Sequence, residues 1–498
     1  MLIIFRFSFI ALLLFAMIQQ VTGQQLSAEI KNALKEDNSQ AAAVALEGQH
    51  LDLCYEVGNK TYNLLALSIK INAKDVLAYL LDAGANIEAY CEDKTPLMYA
   101  VKYGKLDMVK MLVEKGADPS FVLEDQAAID YAIQYRHPEI LSYLKSLGGY
   151  RIYDLEGVDG PYVFDDKAFF VNEALELERK QIDRTQLLRV KVGNKDQDEF
   201  DVQLKEIKIP EAVYPKASKV IVISDIEGNF NGFYSFLLNN GVMDEAYNWT
   251  YEDGHLVLVG DFVDRGEAVT PVLWLIYHLE SKAAEQGGQV HFILGNHEIM
   301  NIQGDVRYVQ EKYIGVAQQI SSEKEWETAY QYLFSDQSEL GAWWRSKNVI
   351  EKVGDYLFVH AGLSPEILQY RLSINQINEI ARRHLEQDLY ARPSQDEQAN
   401  FIMGAKGPLW YRGLLGDYKD YYERAKKSDL KRILKFYDAN KMVIGHTVVE
   451  DISTDYDGLL IRVDVKHNTN KASGKTKGLL IEKGVAYKVD DLGKRAKL

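Results

Sequence analysis

Five short apolar runs in this 498-residue chain each end abruptly in side chains that bind cations or carry protons. Lys219-Val220-Ile221-Val222-Ile223 gives way to Ser224-Asp225-Ile226-Glu227-Gly228-Asn229. His255-Leu256-Val257-Leu258-Val259 runs into Gly260-Asp261-Phe262-Val263-Asp264-Arg265-Gly266, and Val290-His291-Phe292-Ile293-Leu294 into Gly295-Asn296-His297-Glu298. Tyr356-Leu357-Phe358-Val359 meets His360-Ala361-Gly362, and Met442-Val443-Ile444 meets Gly445-His446-Thr447. Carboxylate, amide and imidazole donors of this kind suit a pair of divalent cations. Two ions roughly 3.5–4 Å apart can hold phosphate oxygens and acidify a water for attack on a phosphoester. Asp261 is the candidate bridge, Asp225 and Glu227 reach the first ion, and Asn296, His360 and His446 reach the second. His297, next in chain to Asn296, is placed to protonate a leaving oxygen, with Asp264 orienting it. Arg265 and Arg412, the latter in Trp410-Tyr411-Arg412-Gly413, are the candidate phosphate clamps, because a planar guanidinium matches phosphate oxygens, and Asn296 is a further candidate for phosphate contact.

The elements that must position these residues follow from the pattern. Bare apolar runs of this length read as strands buried on both faces, with ligands where each strand leaves its sheet. The five are expected side by side. From Lys219 to about Lys488, strands alternate with helical stretches, the sign of a layered α/β domain. Two stretches, Val306 to Arg345 and Asp417 to Phe436, read as helical, for most of their length as plain surface helices and otherwise as walls of a substrate groove. Gly458 to Asp464 and Gly478 to Glu482 read as a closing hairpin around a polar loop. Residues 151–218 form a bridge, grouped with the following domain as its first sheet edge. Within it, Glu173 to Arg184 reads as a charged helix, and Leu187 to Pro210 as strands around Gly193-Asn194.

Residues 26–150 carry an internal repeat. Leu65-Ala66-Leu67-Ser68, Leu97-Met98-Tyr99-Ala100 and Ile129-Asp130-Tyr131-Ala132 recur at one spacing, each followed by a glycine-closed helical pattern such as the one ending Gly116-Ala117-Asp118. Lys94-Thr95-Pro96-Leu97 with that close resembles the ankyrin repeat, although Met98 replaces the usual histidine. The resemblance implies an all-α domain that binds a protein partner or caps its neighbour. Leu2 to Ile18 is almost wholly apolar and precedes Val21-Thr22-Gly23, which reads as a cleavable signal peptide over residues 1–23. The chain is thus expected to be exported, periplasmic or secreted, with no stable membrane insertion after cleavage. The net charge of −16 argues against binding nucleic acid. Cys54 and Cys91, the two cysteines, are expected to remain unpaired, with one bridge between them the alternative in an exported protein.

The ordered set of motifs from Gly260-Asp261 to Gly445-His446 resembles the calcineurin-like metallophosphoesterases, in their phosphoprotein phosphatase branch. The run from Gly295 to Val309, with Trp410-Tyr411-Arg412, resembles the Shewanella-like protein phosphatases. The resemblance covers residues 219–498. It implies an α/β fold, a two-sheet β-sandwich flanked by helices. It also implies metal roles for Asp225, Asp261, Asn296, His360 and His446, an acid role for His297 with Asp264, and phosphate contacts from Arg265 and Arg412. Direct hydrolysis of phosphoproteins by hydroxide held on two metals is the activity implied. One position departs from the pattern: the family's Asp-x-His-Gly is Asp225-Ile226-Glu227-Gly228 here. A carboxylate in place of the imidazole favours manganese or magnesium over zinc, with iron a further candidate. Rival readings are a hydrolase of dinucleoside polyphosphates or other small phosphoesters, and a catalytically weak ankyrin scaffold.

Overall fold

A computed structural model describes residues 24–124, 126–415 and 422–498. The signal-peptide reading concerns residues outside this set. No helix among the described residues is long and apolar enough to cross a membrane. The chain divides into two compact units, up to Ile152 and from Tyr153 onward.

The first unit is built of helix pairs. The starts of Leu64–Ile71, Pro96–Lys102 and Ala128–Gln134 keep the repeat spacing seen in the sequence, and each is followed by a second helix. Capping explains where they begin: Asn63 Oδ1 accepts the Ala66 N–H at 2.8 Å, and Thr95 Oγ1 the Met98 N–H at 3.3 Å. Gly84, Gly116 and Gly148 close the second helices with φ of +87°, +102° and +71°, where a side chain would be strained. The expectation of unpaired thiols is overturned, because Cys54 and Cys91 are joined in a disulfide. Sequence spacing carries no trace of a pairing made by the fold.

In the second unit, twelve strands form two six-stranded sheets. In chain order they are β1 (Val213–Tyr214), β2 (Lys219–Ile223), β3 (His255–Val259), β4 (Gln289–Ile293), β5 (Ile350–Val353), β6 (Tyr356–Val359), β7 (Lys441–Ile444), β8 (Ser453–Asp455), β9 (Leu460–Arg462), β10 (Lys477–Glu482), β11 (Val485–Asp490) and β12 (Arg495–Lys497). One sheet runs β4-β3-β2-β10-β11-β12 and the other β8-β9-β7-β6-β5-β1. β2, β3 and β4 are parallel, as are β6, β7 and β9. Val222, Val257, Val259 and Ile293 pack with Phe358, Val443, Ile461 and Val463 in a shared apolar layer. On its other side the first sheet packs with helices such as Phe230–Asn239 and Val269–Ala284. The result is the helix-flanked β-sandwich.

Three expectations are corrected. The ligand-bearing strands do not lie in one row: β2, β3 and β4 belong to one sheet, β6 and β7 to the other. Gly458 to Glu482 is not a hairpin, since β9 pairs with β7 and β10 with β2, so the chain crosses between sheets. Glu173 to Arg184 is not a helix. Leu177–Gln181 is a strand paired antiparallel with Lys167–Val171, and ladder pairing overrides its helix-forming composition. In the bridge, only β1 joins a large sheet among the described residues.

Candidate active site

The strand ends bring the expected donors together. His360 Nδ1 donates to the Val259 carbonyl oxygen at 2.7 Å, which turns Nε2 toward the other strand ends. Nε2 lies 3.0 Å from Asn296 Oδ1, 3.1 Å from His446 Nδ1 and 3.1 Å from Asp261 Oδ2. Asn296 directs its amide nitrogen away, toward Met300 Sδ at 3.7 Å. Asp261, His360 and His446 are all buried, with donor atoms within 4.8 Å of one another. Carboxylate, amide and imidazole donor atoms converging at these distances fit a divalent cation. Asp225 sits beside them, its Oδ2 accepting the His446 N–H at 3.2 Å. A Cβ on Gly445 would stand 2.5 Å from that same oxygen, so this approach requires glycine.

The backbone holds these groups in an uncommon form. Asp225, Glu227, Asp261, Asp264, Arg265 and His446 all have φ between +48° and +69°. Each such residue costs on the order of 1 kcal/mol, and their concentration here marks a site that the surrounding fold over-determines. Glu298 is one restraint. Its fully buried carboxylate accepts the N–H groups of Gly295 at 2.7 Å, Asp261 at 2.9 Å and Phe262 at 2.7 Å. The sequence showed this residue without assigning it a role. Its place three residues after Gly295, the residue before helix Asn296–Ile302, was the available signal.

His297 is also buried and leans on a chain of partners. Its Nδ1 lies 2.5 Å from Asp264 Oδ2, Asp264 Oδ1 accepts from Asn301 Nδ2 at 2.9 Å, and Tyr330 donates to Asn301 Oδ1 at 2.7 Å. Nε2 is left facing Asp261, 3.9 Å from Oδ2. Burial works against the protonated ring, but Asp261 and Asp264 together outweigh it and hold the pKa above the ordinary histidine value. His446 goes the other way, well below that value, through burial and then His360 and Arg412. Burial, Asp464 and Asp261 push Asp225 well above the carboxylate range, and burial and Asp261 push Asp464 up to about 7. A divalent cation would offset this carboxylate repulsion.

Two expected ligands pair with each other. Glu227, expected on the first ion, forms an ion pair with Arg265, expected on phosphate. The Arg265 guanidinium also lies 4.9 Å from the centre of the Tyr308 ring, which is 5.1 Å from the His297 ring. Arg412 Nη1 donates to the His446 carbonyl at 3.0 Å and to Thr447 Oγ1 at 2.6 Å. Arg307 is tied to Asp305, with Nη2 2.6 Å from the carboxylate.

The donors open into a groove of ≈ 1180 Å³. No described residue of the two helical inserts lines it. Its walls come from the turn carrying Asn194 and Lys195 and from the segment between β9 and β10, including Asp464 and Lys471. Phe230 supplies the one aromatic ring, besides imidazoles, among the described lining residues.

Residues 218–450 match the sequence model described as calcineurin-like phosphoesterase, and residues 30–122 and 65–154 match that of ankyrin repeats. With this sandwich and these strand-end donors, the chain belongs to the calcineurin-like phosphoesterases and carries ankyrin repeats ahead of that domain. Within the family it is similar to Shewanella-like proteins. It is 30% identical to Shewanella-like protein phosphatase 1 of Plasmodium berghei over 46% of this chain, spanning 61% of that relative's length. With Shewanella-like protein phosphatase 2 of Arabidopsis thaliana it shares 25% identity over 55% of this chain and 78% of the relative. Among solved structures, the cold-active protein-tyrosine phosphatase of a psychrophilic Shewanella species superposes with a TM-score of 0.60 at 29% identity. That match covers 69% of this chain and 100% of the other.

Proposed function

We propose that this chain is a metal-dependent phosphomonoesterase acting on phosphoproteins, with two divalent cations at the strand ends and manganese the first ion to test. The observation that carries the reading is the convergence of His360 Nε2 with Asp261, Asn296 and His446. Asp225 and Asp261 would hold one ion, and Asp261, Asn296, His360 and His446 the other. When bound, such a pair supplies Lewis acidity toward phosphate oxygens and lowers the pKa of a water. His297 keeps its proton on Nε2, where a leaving oxygen receives it, while Asp264 orients the ring and supports its charge. Arg412, fixed by His446 and Thr447, binds phosphate oxygens. Arg265 does so by exchanging the Glu227 carboxylate for the substrate.

A groove with Phe230 as the one aromatic ring, besides imidazoles, in its described lining fits an extended peptide better than a dinucleoside polyphosphate, whose two bases each need a stacking partner. The tyrosine phosphatase among the structural relatives makes phosphotyrosine peptides the first substrates to try. The ankyrin unit is proposed to dock a protein partner, and its disulfide supports an exported, oxidising setting. Turnover of p-nitrophenyl phosphate with added manganese, compared between the native chain and Asp261→Asn, tests the activity. A fall to background in the variant is expected. Equal rates would refute the reading and leave a binding scaffold.

A further inference from the structure

The first cation position lacks a donor. Asp225 and Asp261 are there, but Glu227, standing where the family has histidine, is engaged with Arg265. The crossing between sheets supplies another group. β9 runs parallel to β7, and the chain continues alongside it: Val463 N–H donates to the Ile444 carbonyl at 2.8 Å, and Val449 N–H to the Asp464 carbonyl at 2.9 Å. Asp464 therefore leaves its sheet beside Gly445-His446, as a sixth strand end. It is 3% exposed and lines the groove with Asp225 and Asp261. Its carboxylate accepts no hydrogen bond and makes no ion pair among the described residues. A carboxylate with so little solvent and no protein partner, open only toward the groove, is costly unless something in the groove compensates it.

We propose that Asp464 is a ligand of the first cation, completing with Asp225 and Asp261 the position that the histidine-less first motif leaves short. The proposal rests on the two-cation reading above. Glu227 then serves as partner to Arg265, and the first position is held by oxygen donors alone, which selects manganese or magnesium over zinc. The sequence concealed this residue, since Arg462-Val463-Asp464-Val465-Lys466 has no glycine and no abrupt end to an apolar run.

The test is metal binding. Chelator-stripped full chain is titrated with Mn²⁺ by calorimetry, bound metal is counted by elemental analysis, and Tm is read with and without Mn²⁺. The native chain should take two equivalents. Asp464→Asn should lose one, or bind it at least tenfold more weakly, while Glu227→Gln keeps both. Because Asn removes a buried charge, the stripped variant should melt higher than the stripped native chain but gain less on adding Mn²⁺. Asp464→Ser, which also removes the charge, should behave alike and serves if the Asn variant does not fold. Two tight equivalents in both Asp464 variants would overturn the proposal, as would loss of one in Glu227→Gln alone. Fewer than two in the native chain would overturn the two-cation reading, and this proposal with it.

Discussion

Replacing Asp264 by Asn separates proton donation from cation binding. The side chain keeps its shape, and no expected metal donor is removed. Asp264 accepts from both His297 and Asn301. An amide presents one acceptor and one donor, so one of these contacts is lost whichever way the new side chain turns. Restoring the Asn301 bond sets the amide N–H₂ against the imidazole, and the charge supporting its protonated form is gone. A hydrogen bond to a charged group is worth about 1.5–3 kcal/mol, which corresponds to about 10- to 150-fold in rate. Asp264 is among the groups that raise the His297 pKa, so its loss moves the alkaline limb of the rate profile toward lower pH. The assay is kcat/KM against pH for two substrates, p-nitrophenyl phosphate and an alkyl phosphate. A good leaving group needs little help from an acid, so the loss should be several-fold larger for the alkyl ester. Equal losses on both substrates, with an unshifted pH profile, would refute the assignment of His297 and Asp264 as acid and orienter.

Other perturbations address the scaffold. Glu298→Gln leaves at least one of three backbone N–H groups facing an amide donor in a fully buried place. It should cost about 2–4 kcal/mol in urea denaturation, and a change below about 1 kcal/mol would contradict the restraint described. His255 Nδ1 lies 2.8 Å from His291 Nε2, whose ring reaches Glu351 across the sheets at 2.6 Å, and burial followed by His291 pushes His255 down to about 4. The unfolded chain therefore takes up more protons between about pH 6.5 and 4, so stability falls as pH drops through that window and levels off below it. After discounting for the part-exposed ring the loss is about 1–2 kcal/mol. His255→Asn should remove this part of the slope, and parallel curves for variant and native chain would disprove it. Cys54→Ser, opening a bridge between residues 37 apart, should cost the repeat unit about 2–4 kcal/mol, read from its urea transition. No difference in that transition between variant and native chain would show the bridge absent from the folded protein.

Much of the site was legible because each donor stands at the first polar step after an apolar run, and a parallel strand presents that step at the edge of its sheet. Asp225, Asp261, Asn296, His360 and His446 were readable in this way. Asp464, the further donor proposed above, was not, because valines flank it on both sides and nothing in the chain marks where β9 ends. The sharing of strands between two sheets was equally hidden, since β2 and β6 carry the same kind of apolar run and differ only in their neighbours. Glu227 shows a further limit: its type and place named a ligand, but Arg265, close enough to claim it, becomes adjacent only on folding. Gly193-Asn194 announced a turn, yet its position on the groove depends on tertiary packing.

Asp225, Asp261 and Asn296 hang from one layer of the sandwich, whereas His360 and His446 hang from the other. A cation held by both sets is a rivet through two plates. Chelation should therefore act mechanically as well as chemically. Stripping a bound metal would then loosen the seam between the layers, and backbone amides of β3 and β6 should exchange with solvent sooner than those at the far edges.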